Sequence, residues 1–193
     1  HRARGYILEV TGNYEEAIRE YQLAIDINEN IPDLHLSLGR NYRILQVYDK
    51  AVEEFTRANA LNPADPLPDL FISRTYSTIG EYAKAVQYGE QAVSDDPTVA
   101  SSHGNLGVMY YYNFQWPESA QSLSLAIYGG SLGEDQEIEP LPLDNNARSA
   151  EYYFTYALVL ARINRCGEAL QIAQQIIGTI PSDELAVYNA NEA

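Results

Sequence analysis

The sequence predicts an all-α solenoid, a run of antiparallel helix pairs stacked side by side. Three observations predict it. Aromatic residues recur at a step of 34, at Tyr14, Tyr48, Tyr82 and Trp116, and again at Tyr42, Tyr76 and Tyr110. Small residues keep the same step in three columns: Gly5, Gly39, Ser73 and Gly107; Ala17, Ala51, Ala85 and Ser119; Ala24, Ala58, Ala92 and Ala126. The composition, 46% apolar and 20% charged over 193 residues, supplies enough apolar material for a core and argues against disorder.

The elements follow from the spacing. In the second period a helix from about Pro32 to Leu45 places Leu34, Leu38, Tyr42 and Leu45 on one face. After a short turn a second helix starts near Tyr48 and carries Ala51, Phe55 and Ala58. It stops before Asn62-Pro63, because proline cannot continue a helix and restricts its predecessor. Small residues let the paired backbones approach, and the aromatic columns fill the space beside them. The periods run over about 1–31, 32–65, 66–99 and 100–128. In the third, Ser73 replaces the glycine and Gly89 stands at a bulky position, which predicts weaker packing. In the fourth, Pro117 suits the first turn of a helix.

The fifth period, 149–181, is out of phase: Cys166-Gly-Glu-Ala169 aligns with Trp116-Pro-Glu-Ser119 at a step of 50. The inserted stretch, 129–147, is rich in Gly, Pro and acidic residues and reads as a loop. Its Ile138, Leu141 and Leu143 are expected to pack back on the fourth or fifth pair. A short apolar-patterned segment within 182–193 reads as a terminal unpaired helix.

The run His35…Leu38-Gly39…Tyr42…Tyr48…Ala51…Phe55…Ala58…Pro63 resembles the tetratricopeptide repeat, with His35 where Trp is commonest. The resemblance extends over nearly the whole chain. It implies a right-handed superhelix whose first helices line a concave groove that usually binds peptide segments of other proteins. It therefore implies a protein-binding scaffold or adaptor and not an enzyme.

Nothing in the sequence argues for other chemistry. Lys+Arg total 12 against 27 for Asp+Glu, a formal net charge of −15, which disfavours nucleic acid as a partner. No apolar run approaches the roughly 20 residues of a membrane span. There is no phosphate-binding glycine loop, His-Glu-x-x-His or Gly-x-Ser-x-Gly, and no cofactor is expected. His1, His35 and His103 share one column with Asp69. Stacked helices lie roughly 8–10 Å apart, too far for one column to share an ion easily, so packing is the leading reading, beside a pH-sensing ladder and a metal site. Cys166 reads as a small buried thiol. Paired carboxylates such as Glu15-Glu16 read as solvated. Glu134, Asp135, Glu137 and Glu139 lack the EF-hand pattern and read as a solvated loop. No signal fixes the compartment; cytoplasm and a bacterial envelope or extracellular setting both stay open.

Family geometry turns three first-helix columns toward the groove. On it the candidate partner-binding residues are Tyr6, Leu36, Arg40, Arg43, Leu70, Arg74, Asn105, Tyr111 and Phe154. Arg40, Arg43 and Arg74 form a basic patch in an acidic protein, and the arginine fork suits carboxylates. The functional reading is recognition of an extended segment with an acidic group and apolar neighbours. The competing reading pairs these arginines with the protein's own carboxylates, such as Asp33 and Asp69. The carboxylate clamp of chaperone-binding members is absent, since its positions hold Leu36/Arg40 and Leu70/Arg74. An alternative function is structural: Ile7 at one end and Leu185, Val187 and Tyr188 at the other would stack copies head to tail into a filament or longer array.

Overall fold

Each 34-residue period folds as two helices joined by one short turn. The computed structural model describes residues 1–133, 136–144 and 147–180. The pairs are α1 (Arg2–Val10) with α2 (Tyr14–Ile27), α3 (Pro32–Ile44) with α4 (Tyr48–Leu61), and α5 (Leu67–Thr78) with α6 (Tyr82–Asp95). Then come α7 (Ala100–Tyr112) with α8 (Trp116–Tyr128), and α9 (Ala147–Arg162) with α10 (Cys166–Thr179). The chain divides into two compact units, His1–Asp95 and Asp96–Ala193. Among the described residues no helix is long and apolar enough to cross a membrane.

In the first unit each helix packs on the next, and Tyr21, Leu34, Leu38, Phe55 and Ile72 form the core. Small residues set the approach. A Cβ added at Gly39 would lie 2.6 Å from the Phe55 ring, so α3 and α4 meet at a distance only glycine permits. In the third pair Ser73 is fully buried, and its hydroxyl donates to the carbonyl of Ala85 at 2.7 Å. Gly89, on α6, occupies the column of Tyr21 and Phe55 and is buried too. The serine thus adds a hydrogen bond between α5 and α6 where the packing was expected to weaken.

The second unit packs α7 on α8, α8 on α9 and α9 on α10. Its core holds Val108, Leu123, Tyr152, Leu160 and Ile176. The inserted stretch is not all loop. Gly130–Gly133 (β1) and Gln136–Ile138 (β2) form an antiparallel hairpin with Gly130 opposite Ile138. Gly129, at φ 70, redirects the chain out of α8. Ile138 is buried, the Leu141 N–H donates to Ala126 O at 2.9 Å, and the Tyr153 hydroxyl donates to Leu141 O at 3.0 Å. Tethered to α8 and α9 in this way, the stretch pairs with itself. Glu134, Asp135 and the terminal segment 182–193 lie outside the described residues.

The turn inside each pair repeats as strictly as the helices. Gly12, Gln46, Gly80, Phe114 and Asn164 all take positive φ, between 60° and 81°. In every turn the next residue's N–H reaches back to a first-helix carbonyl, as from Asn13 to Leu8 at 2.8 Å and from Gln115 to Tyr110 at 2.9 Å. Phe114 is the costly member, a bulky side chain in the left-handed region with 79% of its surface exposed.

The close approach and the strained turn each make a stability prediction. Gly39→Val should lower the unfolding free energy by about 1–3 kcal/mol, because the added methyls overpack against Phe55. Phe114→Asn should raise it by about 0.5–1 kcal/mol, because asparagine tolerates this conformation and Phe114 contributes little burial. Urea titration of both variants against the wild type measures the two effects.

Candidate functional site

On the first helices of the first unit, the residues around Phe71 make the most built cluster. Phe71, on α5, is half-buried and stacks on Phe55 of α4, with centroids 5.3 Å apart and planes 17° apart. The guanidinium of Arg43, from α3, lies 6.0 Å from the centroid of the same ring, and that of Arg74, one turn along α5, lies 5.9 Å from it. Ring quadrupole and cations attract at this distance, and the apolar base under Phe71 limits its movement. Two arginines from adjacent helix pairs are thus gathered at one aromatic side chain.

Arg40 behaves differently. Its Nη2 donates to Glu9 Oε1 at 2.6 Å, and the Tyr21 hydroxyl donates to Glu9 Oε2 at 2.7 Å. Both oxygens of Glu9 are therefore engaged, and Arg40 is neutralised by the protein itself. The pairing reading holds for Arg40, but with Glu9 as the acid. Asp33 pairs instead with Arg2 at 2.8 Å, and Asp69 accepts from Asn59 at 2.9 Å. Burial pushes the Tyr21 phenol up to about 12, and its hydrogen bond to Glu9 and that carboxylate's charge add to the shift. Beside this group a cavity of about 450 Å³ is lined by Arg2, Ala3, Tyr6, Tyr21 and Ser37.

The other predicted groove residues divide by exposure. Tyr6 is exposed, and Leu36 is half-buried against the core. Leu70 is 3% exposed and Asn105 is 1% exposed, so these two support the helices from inside and do not line a surface. The column reading put both on the groove, and their burial removes them from it. In the second unit Tyr111 and Phe154 are half-buried, and Tyr111 meets Tyr112 edge-on at 5.4 Å. Ile7 is exposed, while Leu185, Val187 and Tyr188 lie outside the described residues. Sequence reasoning missed Phe71 because its column reads Ala3, Ser37, Phe71 and Asn105, with no repeated type to mark it.

In the first two helix pairs the histidine column ties the first helix to the second. His1 Nδ1 lies 2.7 Å from Glu20 Oε2, and His35 Nδ1 lies 2.7 Å from Glu54 Oε2, the same contact one period apart. His35 Nε2 and His103 Nε2 bond the carbonyls of Glu29 and Pro97, at 2.9 and 2.8 Å. Among the described residues no three His, Cys, Asp or Glu side chains come together to hold a metal ion. Cys166 is exposed, against expectation. It opens α10 in the column of Tyr14, Tyr48, Tyr82 and Trp116, whose rings are long enough to reach cover where a thiol is not.

A family model described as "TPR repeat" matches residues 5–42. No curated protein sequence matches the chain. Among solved structures the fold is similar to that of MamA 41-end from Desulfovibrio magneticus RS-1, with a TM-score of 0.71, 16% identity, and coverage of 95% of this chain and 94% of that one. It is similar to YrrB, described as a TPR protein with an unusual peptide-binding site, at TM-score 0.66 and 13% identity, over 100% and 90% of the two chains. It is also similar to a thermophilic TPR protein of Thermus thermophilus, TTC0263, at TM-score 0.67 and 18% identity, over 99% and 95%. At these identities the likeness is one of fold, and it agrees with the repeat columns and with the matched period. The chain is an all-α solenoid of helix pairs, and its residues 5–42 match the tetratricopeptide repeat.

Proposed function

We propose that the chain is a non-enzymatic binding module whose first unit holds an extended, acidic segment of a partner protein against Phe71, Arg43 and Arg74. The observation that carries the reading is the convergence of two arginines from α3 and α5 on one aromatic ring. The guanidinium fork matches a carboxylate, and the ring offers apolar area to the side chain beside it. A net charge of −15 repels such a segment at long range, so recognition rests on these short-range contacts. The cavity beside Tyr6 and Ser37 suits an apolar side chain of the same segment. Tetratricopeptide folds serve as protein-interaction scaffolds, and the peptide-binding site described for YrrB is consistent with this use of the fold.

The test is fluorescence anisotropy with labelled peptides that alternate Glu or Asp with Leu or Phe. Arg74→Glu and Phe71→Ala should each weaken binding more than tenfold, since charge-assisted hydrogen bonds contribute about 1.5–3 kcal/mol. Arg57→Glu is the control, because Arg57 pairs with Glu53 on the exposed face of α4. Equal affinity for all four proteins would overturn the reading.

A second reading has one observation in its favour: α1 exposes Tyr6, Ile7 and Val10 at 59%, 59% and 63%. Head-to-tail stacking through this helix would bury them. Light scattering across a hundredfold concentration range separates the two readings. The binding module keeps the 21.6 kDa mass of one chain. The stacking protein gains mass without a plateau, and Ile7→Lys suppresses the gain.

A further inference from the structure

The column that holds His1, His35 and His103 in other pairs holds Asp69 in the third. Asp69 is 1% exposed. Its Oδ2 accepts from Asn59 Nδ2 at 2.9 Å, while its Oδ1 is buried with no donor within reach. Across the pair stands Asp95, the last residue of α6, whose Oδ1 accepts from Gln91 Nε2 at 2.8 Å and whose Oδ2 is likewise buried with no donor. Each carboxyl group thus keeps one buried oxygen without a donor, and the two groups lie close enough to act on one another. Two ionised carboxylates have only acceptors, so a bond between them requires a proton that neither side chain's other neighbours supply.

We propose that Asp69 and Asp95 share one proton in the folded protein, and that its release as pH rises loosens the α5–α6 pair. The surroundings fit a proton-holding site and not an ion pair. From α6 the groups acting on it are Asp95 and Tyr88, and from α4 it is Asn59, which is neutral. The charged groups of the neighbouring helices are engaged elsewhere: His35 with Glu54, Arg40 with Glu9, Arg57 with Glu53 and Lys84 with Glu81. Arg43 lies on Phe71, and Lys50 on the ring of Tyr42. Among the described residues neither carboxylate has an ion pair. Burial pushes Asp69 up to about 7, with Asp95 adding to the shift and the Asn59 bond opposing it.

The direction of the effect follows from linkage. An unfolded aspartate loses its proton near pH 4, whereas the folded pair keeps one up to about pH 7. Over that window the folded state binds the extra proton, so the folding equilibrium constant falls by up to tenfold per pH unit as pH rises. Above about 7 the loss is complete and this pair adds no further slope. In the pairs that carry His35 and His103 the ring bonds a backbone carbonyl instead, so this response belongs to the third pair.

Asp69→Asn and Asp95→Asn each replace the shared proton with a permanent amide donor. Urea unfolding of both variants and the wild type should be compared from pH 5 to 8.5. The expected result is near-equal stability at pH 5 and a folding constant at least tenfold higher for both variants at pH 8. A gap that stays constant across the range would overturn the proposal. Carboxyl carbon NMR of the wild type gives an independent reading that needs no variant. A titration of Asp69 centred near pH 7 supports the shared proton, and one near pH 4 refutes it.

Discussion

At Gly39 a methyl group would sit 2.6 Å from the Phe55 ring, so a bare backbone on α3 meets an aromatic face on α4 with nothing between them. That approach fixes the separation within the pair. Phe55 is then fully buried and presents its other side to Phe71 of the next helix pair, which makes one aromatic ring a link between periods. Each pair buries one face against its own partner helix and another against its neighbour, which is why a single period cannot supply a core by itself. The left-handed turn at Gln46 closes the pair at the same length every time, and the step of 34 is the sum of these two constraints.

Departures from the repeat concentrate on the third pair. Ser73 takes a glycine position and donates to Ala85, Gly89 takes a bulky position, Asp69 takes a histidine position, and Phe71 and Arg74 appear where no period-wide pattern asks for them. Repeat columns are what stacking requires; a residue that breaks a column without loss of order answers to something else. Ser73 answers to packing, since its hydroxyl is satisfied inside the pair. Asp69 does not, because a buried carboxyl beside a second one is a poor structural substitute for an imidazole that bonds a carbonyl.

How much was legible in the sequence divides along the same line. Pair boundaries were readable because proline after α4, and small and aromatic columns at one step, are local and repeated; α3 and α4 begin and end within a residue or so of expectation. The positive-φ turn column left a weaker trace, because Gly12 and Gly80 signal it while Gln46 and Phe114 do not. The hairpin at Gly130–Ile138 was hidden because its acidic, glycine-rich composition is equally that of a loop, and only the Leu141 and Tyr153 tethers reveal its order. At the candidate site, columns pointed to Arg40, Arg43 and Arg74, but burial separates Leu70 and Asn105 from the surface, and the pairing of Glu9 with Arg40 spans two periods at unrelated residue types. One-dimensional spacing carries no information on either.

The arginines show how an acidic chain distributes its few positive charges. Arg2, Arg40, Arg57, Arg148 and Arg165 are each held by a carboxylate of the protein, at 2.5–3.2 Å. Arg43 and Arg74 lie against Phe71 and Arg162 lies against Trp116, so aromatic rings help to place these three. The two kinds of contact have different consequences. A carboxylate neutralises the guanidinium and occupies its fork, so a partner's acidic group would have to displace it. A ring attracts the cation through its quadrupole, and that contact neither cancels the charge nor uses the donors at the edge of the fork. In a chain with 27 acidic and 12 basic residues, aromatic contacts help to fix where these three guanidinium groups sit. Phe71, which meets guanidinium groups from two adjacent helix pairs, is therefore the residue around which the candidate site is arranged.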